Sequence, residues 1–81
     1  MKVRIKFFAA PREALGTGEV EQELPSGSRV QELMALLWKE YPALRPYACL
    51  TRIAVNRKYV AWESELHDGD EVACVPPVGG G

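Results

Sequence analysis

Four kinds of residue in this chain carry groups that could do chemistry, and three of them are poorly placed for it. Cys49 and Cys74 have neither CxxC spacing nor a histidine companion. They read as small buried hydrophobes rather than as a disulfide or a metal site. Cys74 is in phase with Val72, which suits a buried and protonated thiol. Cys49 lies between Ala48 and Leu50, with Arg45 and Arg52 near it in sequence. His67, the single histidine, stands in a polar turn beside Asp68 and reads as a solvated surface residue. Glu63 and Glu65 could form a carboxylate pair, but their polar loop offers no apolar pocket to shift a pKa. No residues have metal-ligand spacing, so no metal site is expected. What is left is a carboxylate at the end of Pro76-Pro77-Val78-Gly79-Gly80-Gly81. The proline pair fixes φ and favours extended geometry. The glycines let another surface approach the backbone closely. Together they make a stiff stalk with a thin tip, reaching roughly 20 Å when extended. The reactive group on that tip is the carboxylate of Gly81.

Such a tail needs a body to hold it. Eighty-one residues make one domain with a small core. With 47% hydrophobic and 26% charged residues, the composition is that of a folded chain, not a disordered one. The net charge is −1, and Arg57-Lys58 is the only adjacent basic pair. Nucleic acid and anionic membrane are therefore not expected as partners. No apolar run is long enough to span a bilayer. The start, Met-Lys-Val-Arg-Ile-Lys, lacks the apolar block of a signal peptide. A cytoplasmic protein is expected.

Residues 3–8 alternate, with Val3, Ile5 and Phe7 on one face and Arg4, Lys6 and Phe8 on the other, which predicts a half-buried strand. Pro11 to Leu15, closed by Gly16, predicts a helical turn or tight loop. Residues 19–24 predict a second strand, with Glu19, Glu21 and Glu23 outward and Val20 and Leu24 inward. Paired antiparallel, the two strands would set basic against acidic side chains. Ser28 with Gln31 has the form of a capping box that opens a helix. Val30, Leu33, Met34, Leu37, Trp38 and Tyr41 give that helix a broad apolar stripe, and Pro42 ends it. Residues 52–56 predict a third strand with Ile53 and Val55 inward. Asn56-Arg57 turns into a short strand at Tyr59 and Val60, and Asp68-Gly69-Asp70 is a turn. A last strand, 71–75, runs into the tail. The order β-β-α-β-β-β predicts an α+β fold of the β-grasp, ubiquitin-like kind: a mixed sheet of four to five strands with one main helix on one face. The first and last strands should pair in parallel. The domain is expected over residues 1–75 and the tail over 76–81.

With that order and those glycines in hand, the chain resembles the ubiquitin-like sulfur carriers. More narrowly, it is similar to the small-subunit, MoaD-type proteins of molybdopterin synthase. The matching residues are Phe7-Phe8-Ala9 with Arg12-Glu13, Ala54-Val55-Asn56, Leu66 with Asp68-Gly69-Asp70-Glu71-Val72, and Pro76-Pro77-Val78 ahead of Gly80-Gly81. Gly79 stands where the family usually has another small residue. The resemblance implies a cycle. An E1-like enzyme uses Mg-ATP to adenylate the Gly81 carboxylate, and a sulfur donor displaces AMP to leave a thiocarboxylate. The tail then enters the large synthase subunit, within a heterotetramer, and gives sulfur to a cyclic pterin precursor to build the molybdopterin dithiolene. No cofactor is bound permanently, and the chain alone is not catalytic.

The body must also dock. Phe8 lies outward with Arg4 and Lys6, Val75 is out of phase with Val72 and Cys74, and Tyr59 follows a turn. If the first and last strands are neighbours, these three make an apolar patch at the tail root. The resemblance adds Arg12 to the partner-binding residues. Three other readings stay open: a carrier for thiamin or tRNA thiolation, a ubiquitin-like modifier joined to lysines, and a plain interaction domain.

Overall fold

The structure, a computed structural model, describes residues 1–50 and 52–75, and the side chains of all of these except 48–50. The tail Pro76, Pro77, Val78, Gly79, Gly80 and Gly81 lies outside the described residues, as does the side chain of Cys49.

The chain runs β1 (Lys2–Phe7), α1 (Ala9–Leu15), β2 (Glu19–Glu23), α2 (Val30–Glu40), a 3-10 helix (Pro42–Leu50), β3 (Arg52–Val55), β4 (Lys58–Tyr59) and β5 (Glu71–Val75). One five-stranded sheet has the order β2-β1-β5-β3-β4. β1 and β5 pair in parallel at its centre. The other pairs are antiparallel. This is the β-grasp arrangement expected from the order of elements. A parallel pair needs a long crossover, and everything between Phe7 and Glu71 supplies it.

The alternation in β1 buries Val3, Ile5 and Phe7. α2 lays Val30, Leu33, Met34 and Leu37 on the same core, closed by Ile53, Leu66, Val72 and Cys74. Trp38 is half-buried at the margin, its ring 5.6 Å from that of Trp62. β1 and β2 pair Lys2 with Glu23, Arg4 with Glu21 and Lys6 with Glu19, the predicted match of opposite charges. The closest contact is diagonal, Lys2 Nζ to Glu21 Oε2 at 3.9 Å. Both groups are exposed, so each such pair contributes about 0.2–1 kcal/mol at most.

Two details differ from the sequence reading. The N-cap of α2 is Arg29, not Ser28. Glu32 Oε1 accepts the Arg29 N–H at 3.0 Å. The first helical N–H groups are met by tertiary partners: Val30 donates to the Ser64 carbonyl and Gln31 to the Trp62 carbonyl, both at 2.9 Å. The helix start therefore needs no serine cap. Ser28 is buried, and its hydroxyl donates to the Pro25 carbonyl at 2.7 Å. The second difference is the 3-10 helix after Tyr41. Pro42 stops the α-helix, but the chain keeps turning in shorter steps, with Leu44 N–H donating to the Tyr41 carbonyl at 2.9 Å. Leu44 is thereby pressed into the core.

Candidate functional site

β5 is the element that aims the tail, so what fixes β5 matters first. Its start is clamped by Asn56. The turn Asn56-Arg57 has φ of 50° and 72°, the left-handed pair of a tight hairpin between β3 and β4. From there the Asn56 Oδ1 accepts the Glu71 N–H at 3.1 Å, and its Nδ2 donates to Asp70 Oδ1 at 3.0 Å. The Asn56 N–H donates to the Glu71 carbonyl at 2.8 Å. Asp70 is buried, and its Oδ2 accepts the His67 N–H at 2.8 Å. Gly69, with φ 83°, lets the turn close so that its N–H reaches the Lys2 carbonyl at 2.8 Å. Thus Ala54-Val55-Asn56 and Asp68-Gly69-Asp70-Glu71-Val72 are structural motifs. They lock the start of the central strand whose far end, Val75, carries the tail.

Around that far end the sheet's open face is flat and partly apolar. Phe8 keeps extended geometry (φ −132°, ψ 156°), so it continues the outward phase of Arg4 and Lys6. Phe7 pairs with Cys74, which sets Phe8 alongside Val75. Val75 pairs with Arg52, and one row back Ala73 pairs with Ala54 and Ala54 with Tyr59. The two alanines make a low floor. Phe8 and Tyr59 stand at its edges, 44% and 57% exposed, the exposed large hydrophobics among the described residues. They are three strand steps apart, roughly 14 Å at ~4.8 Å per step. Val75 lies between them, half-buried. Arg12 is on the other side of Phe8. The two line one surface hollow with Lys6, Thr17, Gly18 and Glu19. The Arg12 side chain lies against Gly18, where a Cβ would come within 3.0 Å of its Nε. Strand register thus sets Phe8, Val75 and Tyr59 on the outward face of the sheet, and Phe8 and Arg12 line one hollow.

This body and this tail root have known counterparts. Residues 5–81 match the ThiS family. A molybdopterin synthase sulfur carrier subunit from Mycobacterium tuberculosis is 39% identical over 82 residues, covering 100% of this chain and 99% of that one. The chain belongs to the ThiS family. A Pyrococcus furiosus protein assigned as molybdopterin converting factor subunit 1 has a structure with TM-score 0.87 to this one, at 40% identity, covering 96% of this chain and 99% of that one. A Helicobacter pylori structure, a complex of subunits 1 and 2 of molybdopterin-converting factor, matches at TM-score 0.77 and 27% identity over the whole of both chains. Within the ThiS family this chain is a sulfur carrier of the molybdopterin synthase small-subunit type, a sulfur donor that is not itself a catalyst.

The side chains of this ThiS-family domain fit that passive role. Cys74 is 5% exposed, and burial pushes its thiol up to about 12. At neutral pH it is protonated and a poor nucleophile. It faces a small apolar void bounded by Phe7, Pro11, Met34, Leu37 and Leu44. His67 is exposed, 3.9 Å from Asp70 Oδ2. Glu63 and Glu65 are exposed. Among the described residues no group of histidine, cysteine and carboxylate side chains could hold a metal ion. No described helix is long and apolar enough to cross a membrane.

Sequence reasoning passed over Arg52. Its guanidinium carbon lies 4.2 Å from the centroid of the Tyr59 ring. The signal was present: Arg52 is in phase with Ala54, so it had to share the outward face with Tyr59. The alanine floor was equally legible from the same alternation.

Proposed function

We propose that residues 1–75 serve as a handle and residues 76–81 as the working part, with sulfur carried on Gly81. In an E1-like enzyme the Gly81 carboxylate attacks the α-phosphate of Mg-ATP, and pyrophosphate leaves. A carboxylate is a poor electrophile, and the adenylate supplies the leaving group. The terminal sulfur of a donor persulfide displaces AMP, and a thiol then cleaves the acyl disulfide to the thiocarboxylate. The tail next enters the large synthase subunit, in a heterotetramer, where the sulfur is given to a cyclic pterin precursor. A dithiolene holds two sulfurs, so the carrier is reloaded once per product. All of this takes place in the cytoplasm.

The observation that carries the reading is the direction of β5. A central strand clamped at Glu71 ends at Val75, on a sheet face with two exposed aromatic rings, and Gly79-Gly80-Gly81 follow in the sequence. The rings and Arg12 offer a docking surface, and a glycine tip passes where any Cβ would clash. The deciding measurement is intact mass of protein purified from its own host. Oxygen replaced by sulfur at the C-terminus supports the reading. Sulfur found on a cysteine, with Gly81 unmodified in cells making the cofactor, would refute it.

A further inference from the structure

On the open face Lys2, Arg4, Lys6 and Arg52 stand with Glu19, Glu21, Glu23 and Glu71, yet not every cation has an ion pair. Lys2 pairs with Glu21. Arg4 and Lys6 share Glu71, at 3.8 and 3.4 Å. Arg52, on the same face, has no carboxylate and no side-chain hydrogen bond among the described residues. What it has is the Tyr59 ring, 4.2 Å beneath its guanidinium carbon. A ring at that distance restrains the guanidinium without engaging the lone pairs of an acceptor, so its five N–H donors remain for a partner. Arg52 pairs across the strands with Val75, the last described residue before the tail. Whatever receives the tail must come within reach of it.

We propose that Arg52, held on Tyr59, is a specificity-determining contact for the protein that receives the tail. Its guanidinium edge binds a carboxylate of the large synthase subunit, bidentate, at the rim of the apolar depression that takes Phe8 and Tyr59. The proposal rests on the docking reading above. Charge complementarity selects an acidic group, because Arg52 is the cation of this face that has no ion pair among the described residues. Geometry selects a planar two-oxygen acceptor, because a stacked guanidinium offers paired parallel donors. Lysine could supply the charge but neither the fork nor the stacking.

The test is the affinity of the large subunit for the full-length carrier, measured calorimetrically at low and high salt. Arg52→Met should weaken binding about tenfold or more, as expected for a desolvated charge pair, and should flatten its salt dependence. Arg52→Lys should recover only a minor part of the loss. The side chain is exposed, so thermal midpoints should barely move. If Arg52→Met nevertheless fails to fold, Arg52→Gln is read on the same scale. Wild-type affinity for the neutral variant overturns the proposal, and so does full recovery by lysine. Phe8→Glu is the control that separates the two readings. If Phe8→Glu abolishes binding while Arg52→Met does not change it, Arg52 alone is wrong. If Phe8→Glu binds normally, the docking face itself is wrong.

Discussion

Replacing Asn56 tests whether the clamp on β5 holds the domain together. In Asn56→Ala the side-chain bond to the Asp70 carboxylate is lost, and so is the acceptor for the Glu71 N–H. A bond to a charged group contributes about 1.5–3 kcal/mol and a neutral one about 0.5–1.5. Both lie near the surface, so the low ends apply, about 2 kcal/mol together. Alanine must also take φ 50°, which adds about 1–2 kcal/mol for a residue with a Cβ. The expected loss is about 3–4 kcal/mol, against a total of roughly 4–12 for a domain of this length. The Asn56→Gly variant separates the terms. It loses the same two bonds but tolerates the left-handed turn, so it should recover about 1 kcal/mol. Asn56→Asp keeps the acceptor for Glu71 but sets a second carboxylate against Asp70, and should be no better than alanine. Urea unfolding followed by circular dichroism measures all three. The alanine midpoint should also fall by more than about 10 °C on heating. A loss below ~0.5 kcal/mol for Asn56→Ala would refute the clamp, and a glycine variant less stable than the alanine one would refute the backbone term.

Other perturbations address the site. Deleting Gly81, or adding one residue after it, should abolish adenylation or sulfur transfer and leave the circular dichroism spectrum unchanged; normal product formation by an uncleaved extended protein would show that the terminal carboxylate is not the carrier. Phe8→Glu should leave the fold intact but weaken binding of the large subunit and the activating enzyme by about 30-fold, the scale of a ~2 kcal/mol hot spot; unfolding instead would assign Phe8 to the core. Gly18→Ala meets only the flexible Arg12 side chain, so stability should change by less than ~0.5 kcal/mol while binding weakens as Arg12 shifts; unchanged binding would remove Arg12 from the docking face. A Cys49→Ser, Cys74→Ala double variant should still form the thiocarboxylate. In the wild type the folded Cys74 thiol keeps its proton up to about 12, against an ordinary 9.0. The unfolded chain releases that proton first, so stability is full below about pH 9 and declines above it. Cys74→Ala should lack that part of the decline, and an identical pH profile for both would show that the thiol is not buried.

What could be read from the sequence depended on whether a signal was local. Alternation in Val3, Ile5 and Phe7 fixes a face, and the spacing from Val30 to Leu37 fixes a helix stripe, because burial imposes those periods directly. Phe8 was legible for the same reason: an aromatic in phase with Arg4 and Lys6 has no place in the core. Asn56 and Asp70 were visible as turn residues, but not as partners. Fourteen positions separate them, and only the β3–β5 pairing brings them together. The start of α2 misled for a related reason. Ser28 has the right type for a cap, yet the carbonyls of Trp62 and Ser64 arrive from a distant loop and do that work. The 3-10 turn at Pro42–Leu50 has no period that distinguishes it from a loop.

The division of labour that results has a physical logic. The parts of this chain that need tertiary closure, Asn56, Asp70 and the Trp62–Ser64 carbonyls, hold a rigid body. The parts proposed to meet partners need less of it: Phe8 and Tyr59 are set by strand phase, Arg12 by the short helix α1, and the glycines by the end of the sequence. Burial shifts the Cys74 thiol toward inertness. A sulfur-handling protein benefits from that, because a reactive thiol near the tail root could attack its own acyl-adenylate. Burying Cys74 on the inner face of β5, while the tail leaves from the same strand's end, keeps the two apart.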